Sequence, residues 1–476
     1  MMKIKNYQRT KVVATIGPKT ANSKKLKMMY KAGMSVARLN GSHNSLDWHA
    51  NTIRLIKRVL PNLPILIDIP GKKIRTTILQ HEPSFSISDE IILTTNKKYN
   101  GKNKVPVTNN LLHKYISKND LVLADDGTLK FKVIKVAGKD IYLKALTKGV
   151  LKSSKGINVP HITMGGALIT KRDIKMIEFA KSNDVDFVGI SFVESRTHIK
   201  KIRNLINSHS PYIVAKVENK KGLQNLEEII DEADVIMIDR GDLSTETNIE
   251  SLAINQKNII KKANANSTPV IVATEMLDNM VNNPYPTKAE VLDISNSIID
   301  GASATMLSGE TAVGEYPVES IKVMSNISST LVTNEISKYK SFNKQTSSLA
   351  SGKAITVLCS LLPITKIVAI TISGHAARII SSQMLSQPII AVSNDKKIAR
   401  SLNILSGTKG IYYNTKFYRE SLNHIPKCLF YLWKNKEIIE SDMILITALG
   451  YPGSGHRMNL IQTHSVKDLK KLFAWK

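Results

Sequence analysis

A chain of 476 residues is too long for one compact core and should divide into about two to four domains. Hydrophobic residues make up 42% of it with no apolar run long enough to span a bilayer, which argues against a helical membrane protein. The formal charge of +28 comes from lysines spread among Ile and Asn without a dense basic block or interleaved aromatics, so it reads as solvated surface charge and not as a nucleic-acid surface. Cys359 and Cys428 are the only cysteines, and without CxxC spacing they read as reduced, packed thiols in a cytoplasmic setting. The stretch Met1 to Tyr7 leads almost at once into the first apolar run, leaving no room for a signal or transit peptide.

In chain order, short apolar runs of strand length occur at Val12–Ile16, Ser35–Leu39, Pro64–Ile69, Asp186–Phe192, Tyr212–Val217, Val235–Ile238, Pro269–Ala273 and Ala304–Leu307. Between most of them lie segments of helical period, such as Ile174, Ile177 and Ala180, or Ile199, Ile202 and Ile206. This βα alternation predicts an α/β chain built on a (β/α)8 TIM barrel, with its active site at the carboxyl ends of the strands. The third and fourth runs are separated by over a hundred residues. That gap holds Glu90–Thr94, Leu121–Leu123, a strand pair around Ala137-Gly138-Lys139-Asp140 and the turn signal Asp125-Asp126-Gly127, which predicts an inserted small β-barrel domain over residues 70–156 acting as a lid. The barrel itself would then occupy 1–69 and 157–335, with Gly314–Val332 helical. A polar linker is expected at 336–351. A C-terminal α/β domain at 352–476 is expected from the runs Lys366–Ile370, Pro388–Val392 and Met443–Ile446.

The chemistry concentrates at two predicted strand ends. In Ile213-Val214-Ala215-Lys216-Val217-Glu218-Asn219, Lys216 and Glu218 are two residues apart and share a strand face. A buried-looking strand gains nothing from such a pair, whereas a site that holds a metal and stabilises an oxyanion does. Asp239-Arg240-Gly241-Asp242 places a second carboxylate at a comparable strand end. Glu218 and Asp242 are hard oxygen donors of the kind Mg²⁺ or Mn²⁺ takes, and Lys216 can face a developing oxyanion. Gly453-Ser454-Gly455 is a fragment of a dinucleotide fingerprint without the required helix, and reads as a loop.

The chain resembles pyruvate kinase from about Arg9 to its C-terminus. The resemblance is densest in Thr10-Lys11 through Thr15-Ile16-Gly17-Pro18, Gly33 to Asn40 with Ser42-His43, Lys216-Val217-Glu218-Asn219, Arg240-Gly241-Asp242-Leu243 and Met306 to Ala312. It implies the family's barrel, lid and C-terminal effector domain. The implied activity is transfer of the phosphoryl group of phosphoenolpyruvate to ADP, giving pyruvate and ATP in glycolysis, by a homo-oligomer, tetrameric in the family. By resemblance Arg38, Lys216 and Thr274 are catalytic. Gly241 and Asp242 present backbone amides to the substrate carboxylate. Glu218 and Asp242 ligate Mg²⁺, and His43, Arg75 and Lys155 lie on the nucleotide side. Asn40, Ser42, Asp68, Ile69 and Lys73 fall in the family's monovalent-cation region, and Thr371, Ser373 and Gly374 match a sugar-phosphate effector loop.

The chain also departs from the family pattern. Asp239 stands where alanine is usual, Ser244 replaces a glycine, Glu275 a glutamine and Ser303 an aspartate, while Asp68-Ile69-Pro70-Gly71-Lys72-Lys73-Ile74-Arg75 replaces the usual Asp-Thr-Lys-Gly-Pro-Glu-Ile-Arg. Lys73 thus replaces a glutamate, and a fixed ammonium there predicts activity without K⁺. An active phosphotransferase is one reading, and a catalytically weak relative acting as a ligand-sensing or interaction protein is the other. Retention of Arg38, Lys216, Glu218, Asp242 and Thr274 together favours the first.

Overall fold

A computed structural model describes residues 7–125, 127–160, 168–331, 347–417, 421–448 and 458–475. Met1 to Asn6, Asp126, the linker positions 336–346 and the loop Gly453-Ser454-Gly455 lie outside the described residues.

Eight parallel strands close into a barrel: Lys11–Thr15, Met34–Asn40, Ile65–Ile69, Phe187–Ile190, Tyr212–Val217, Val235–Asp239, Val270–Ala273 and Ala304–Leu307. Closure is made by the first strand, which pairs with the eighth through Val13 and Met306 and with the second through Thr15 and Arg38. Strands such as Ile65–Ile69 are buried along their whole length, because helices cover the outside while side chains fill the inside. Val13, Val36, Leu66, Phe187, Val214 and Met237 belong to the packed interior. The surrounding helices follow from their caps and stripes: Ser45 caps Leu46–Val59 by accepting from the Trp48 amide, and Ile53 and Ile56 face the core. Thr287 and Glu290 form a capping box on Lys288–Asp300, which stops at Gly301 with φ 106°.

Four expected strands end differently, the first at Thr15 and the sixth at Asp239, each one residue from its expected end. The second reaches Asn40, which puts Arg38 and Asn40 on one face at the barrel mouth. The fourth stops at Ile190, because Phe192 takes a left-handed φ of 53° and turns the chain so that its amide meets Glu218.

Between the third and fourth barrel strands lies a seven-stranded sheet whose edges are Ile74–Arg75 and Val105–Pro106. The bridge between Thr76 and Val107, with the Thr108 amide donating to Arg75 O at 2.8 Å, joins those two edges and makes the sheet a small barrel. Leu129–Ala137 and Asp140–Ala145 form the expected hairpin, turning at Gly138 with φ 58°. The chain enters through Ile74–Arg75 and leaves through Gly156–Asn158, and these two short strands pair with each other. The domain is therefore attached by a hydrogen-bonded double hinge.

The last sheet has five strands, with Lys366–Ile370 at its centre, and three of them matched the apolar runs. Thr408–Tyr412 was missed because an edge strand of largely half-buried residues lacks the apolar signature. The expected linker through Ser351 is corrected: the helix Ser347–Leu361 begins inside it, and Ser348 and Leu349 are already buried. This sheet's domain docks on the amino-terminal face of the barrel, where Lys11 Nζ donates to Thr408 O at 2.7 Å and Arg400 pairs with Asp186 at 2.8 Å.

Candidate functional site

The carboxyl ends of the second, third, fifth, sixth and seventh strands surround a cavity of about 210 Å³. Arg38, Asn40, Ser42, Asp68, Lys73 and Arg75 line one side, and Lys216, Asp239, Gly241, Asp242, Thr274 and Glu275 the other. Sequence reasoning therefore assembled most of one site from segments far apart in the chain.

Lys216 is buried and holds three anions. Its Nζ lies 2.6 Å from Glu218 Oε1, 2.9 Å from Asp239 Oδ2 and 3.8 Å from Asp68 Oδ2, and it donates to Ser191 Oγ at 3.3 Å. Burial would lower its pKa, but Glu218, Asp239 and Asp68 raise it well above the ordinary lysine value, so the ammonium is always charged. Arg38 donates to Asp68 Oδ2 from Nη2 at 2.7 Å and from Nε at 3.1 Å, and to Thr15 Oγ1 at 3.1 Å. This fixes its guanidinium at the cavity wall.

Glu218, Asp239 and Asp242 each offer one carboxylate oxygen such that the three atoms lie within 4.8 Å of one another. Burial raises the pKa of Glu218, with Lys216 opposing and Asp239 and Asp242 adding to the rise. Asp242 is also raised by burial, against the pull of Lys73. Burial alone would raise Asp239 too, but Lys216 and Lys73 hold it well below the usual carboxylate range. Glu218 Oε1 and Asp242 Oδ1 are buried, with the ammonium of Lys216 2.6 Å from the first and that of Lys73 2.6 Å from the second. Three buried carboxylates grouped this closely are an all-oxygen donor set that fits a hard divalent cation.

The opposite wall rests on strained backbone. Thr274 and Glu275 are consecutive residues at φ 71° and 52°, a conformation costing about 1–3 kcal/mol for each non-glycine residue. Arg240 sustains it: Nη2 donates to Thr274 O at 2.6 Å and to Glu275 O at 3.0 Å, and Nη1 meets Asp293 at 2.6 Å. Thr274 Oγ1 thereby accepts the Gly241 amide at 2.9 Å. This corrects one expectation, since the Gly241 amide already has a partner inside the protein.

Other sequence-predicted residues stand differently from expectation. Lys73 was grouped with the monovalent-cation residues Asn40, Ser42 and Asp68, but its ammonium pairs with Asp242, 2.6 Å from Oδ1. Ile69 packs in the core, and its carbonyl accepts from Ser191 Oγ at 2.9 Å. Of the three nucleotide-side residues only Arg75 lines the cavity. His43 sits exposed near the rim, its imidazole lowered by partial burial and by Arg75, Arg38 and Arg172. Lys155 pairs with Asp125 of the inserted domain at 2.6 Å. In the C-terminal domain, Thr371 Oγ1 accepts the Gly374 amide at 2.9 Å and Ser373 is exposed, at the start of the helix His375–Ser382.

Sequence reasoning missed the anchoring role of Arg240 and the contact of Ser191 with Lys216, and it noted Asp239 only as a departure from the family pattern. Strand register could have placed Asp239. Val217 pairs with Ile238, so Glu218 and Asp239 are level at the barrel mouth.

The comparisons with known proteins agree along the chain. Residues 7–321 match the family described as pyruvate kinase, barrel domain, and 352–464 match pyruvate kinase, alpha/beta domain. A pyruvate kinase of Clostridium perfringens is 35% identical over 94% of this chain and 97% of its own length. One of Thermococcus litoralis is 36% identical over 93% and 95%, and one of Bacillus licheniformis 34% over 97% and 81%. The barrel and C-terminal models match in order along the chain, and the relatives align over nearly its whole length: the chain belongs to the pyruvate kinase family.

Proposed function

We propose that this chain transfers the phosphoryl group of phosphoenolpyruvate to ADP, giving pyruvate and ATP, with the following assignment of roles. The P–O bond to the enol oxygen breaks, a P–O bond to the terminal phosphate of ADP forms, and the enolate left behind takes a proton on carbon to become pyruvate. The observation that carries this reading is the buried Lys216 beside Glu218, with Arg38 and Asp242 lining the same cavity.

Arg38, held by Asp68, neutralises the transferring phosphoryl group. Lys216 faces the enol oxygen and stabilises the negative charge that develops there; because Glu218 and Asp239 keep it charged, no proton has to be gained first. Thr274 orients the substrate from the opposite wall, and the Asp242 amide approaches its carboxylate. Glu218 and Asp242 would hold Mg²⁺ or Mn²⁺, which when bound supplies Lewis-acid polarisation of the phosphoryl oxygens. Arg75, His43 and Lys155 form the nucleotide side at the hinge, so that closure of the inserted domain would bring ADP to the phosphoryl group and exclude water. Lys73 contributes a fixed positive charge in the same cavity, and K⁺ is not required. The active form is an oligomer, tetrameric by resemblance.

A coupled assay of pyruvate formation from phosphoenolpyruvate and ADP with Mg²⁺ tests this. Turnover is expected. Its absence across a range of monovalent and divalent cations would favour a ligand-sensing relative instead.

A further inference from the structure

Asp239 is the residue at which this chain adds chemistry to the site. It ends the sixth barrel strand level with Glu218 on the fifth, 8% exposed, where the family resemblance expects alanine. One of its oxygens already meets a cation, Lys216 at 2.9 Å, and its carboxylate shares the 4.8 Å hollow with Glu218 and Asp242. The other two carboxylates of that hollow also touch an ammonium, Glu218 Oε1 that of Lys216 and Asp242 Oδ1 that of Lys73, each at 2.6 Å.

Charge bookkeeping shows why the extra carboxylate is tolerated. In ion contact at the mouth stand four carboxylates, Asp68, Glu218, Asp239 and Asp242, against three cations, Arg38, Lys73 and Lys216. The sequence departs from the family twice here, adding an anion at Asp239 and replacing an anion by a cation at Lys73. The change at Asp239 is −1 and that at Lys73 is +2, so the ammonium more than compensates for the added carboxylate. The two changes are not redundant in position: the ammonium of Lys73 rests on Asp242, whereas Asp239 adds an oxygen donor beside Glu218.

We propose that Asp239 is a third carboxylate ligand of the divalent-cation site, completing with Glu218 and Asp242 an all-oxygen donor set more anionic than the two-carboxylate site the resemblance implies. The inference rests on the phosphotransferase reading above for the site's purpose, but not for its test. A site with three carboxylates holds its cation in the absence of substrate. One with two relies more on substrate oxygens to complete the shell.

The test is direct titration of the substrate-free protein with Mn²⁺, following the loss of the free-ion electron paramagnetic resonance signal. Asp239→Asn, nearly isosteric, is expected to weaken Mn²⁺ binding by about 10-fold or more. Circular dichroism confirms that the variant is folded. An affinity within about twofold of the unsubstituted chain would overturn the proposal. Asp239→Cys separates ligation from a general electrostatic effect, because a thiolate favours a soft ion. Adding Cd²⁺ should produce an ultraviolet thiolate-to-cadmium charge-transfer band in this variant and none in the unsubstituted chain, whose two cysteines are buried. No band would overturn ligation by residue 239. Unchanged Mn²⁺ affinity in Asp239→Asn, in a protein whose unsubstituted form turns over phosphoenolpyruvate, removes Asp239 alone. Absence of turnover removes the functional reading whatever the titration gives.

Discussion

Lys73 Nζ lies 2.6 Å from Asp242 Oδ1, which ties the segment leading into the inserted domain to the first turn of the helix after the sixth barrel strand. Burial would lower this lysine, but Asp242, Asp239 and Glu218 hold its pKa above the usual value, so it is a permanent positive charge. The hinge and the metal carboxylates are therefore one electrostatic unit.

From this follows the first prediction. Activity in K⁺-free buffer with a bulky organic counter-cation should change little when KCl is added. Lys73→Glu restores the anion expected from the family and should create activation by KCl. A large KCl response in the unsubstituted chain would show that Lys73 is no substitute for the ion.

Lys216→Ala should keep the fold and lower turnover by about 10²–10³-fold or more, the loss typical of a donor that stabilises a developing oxyanion. The anions left around an empty position also weaken the site's architecture, so melting should be followed alongside rate. Near-normal turnover in the folded variant would remove Lys216 from the chemistry.

Arg240→Ala should release Thr274 and Glu275 from their left-handed backbone. Two carbonyls lose charge-assisted donors, each worth about 1.5–3 kcal/mol, so the variant should be less stable. Turnover should fall together with stability, because Thr274 loses its place opposite Lys216. A variant with lowered melting temperature but unchanged kcat and KM would show that the strain serves packing alone.

Lys11 supplies a pH dependence far from the site. It is buried, with Nζ donating to Thr408 O at 2.7 Å, and burial lowers its pKa from 10.5 to about 7. Between these values the unfolded chain binds more protons than the folded one, so this group makes stability rise with pH, by at most about 1.4 kcal/mol per pH unit. The cost of the buried charge is full below about pH 7 and relieved above it. Lys11→Met should therefore flatten the difference in melting temperature between about pH 7.5 and 9.5. Equal differences in both proteins would assign the pH dependence elsewhere.

The C-terminal loop is expected to take a phosphorylated sugar. Thr371, Ser373 and Gly374 sit between the central strand and the helix His375–Ser382, where hydroxyls and amides can meet an anion. Calorimetric titration with sugar mono- and bisphosphates should show binding that Ser373→Asp abolishes. No heat and no change in activation with any of them would remove the loop from regulation.

The amino-acid sequence by itself determined the barrel, because eight strands buried on both faces must be short apolar runs and the helices between them must carry a 3.6-residue stripe. It also determined which residues stand at the mouth: period two puts Lys216 with Glu218 and Arg38 with Asn40 at strand ends, whatever the details of packing. Tertiary structure decided what those groups touch. Pairing of Val217 with Ile238 makes Asp239 a neighbour of Lys216, and the path of the hinge carries Lys73 to Asp242 instead of to Asp68. Closure of the inserted sheet by Thr76 and Val107, and the docking of Thr408 on Lys11, likewise join segments far apart in the chain. Periodicity is a local property of the backbone and can be read along the sequence. Charge pairing depends on distances between strands, and only the closed barrel sets them.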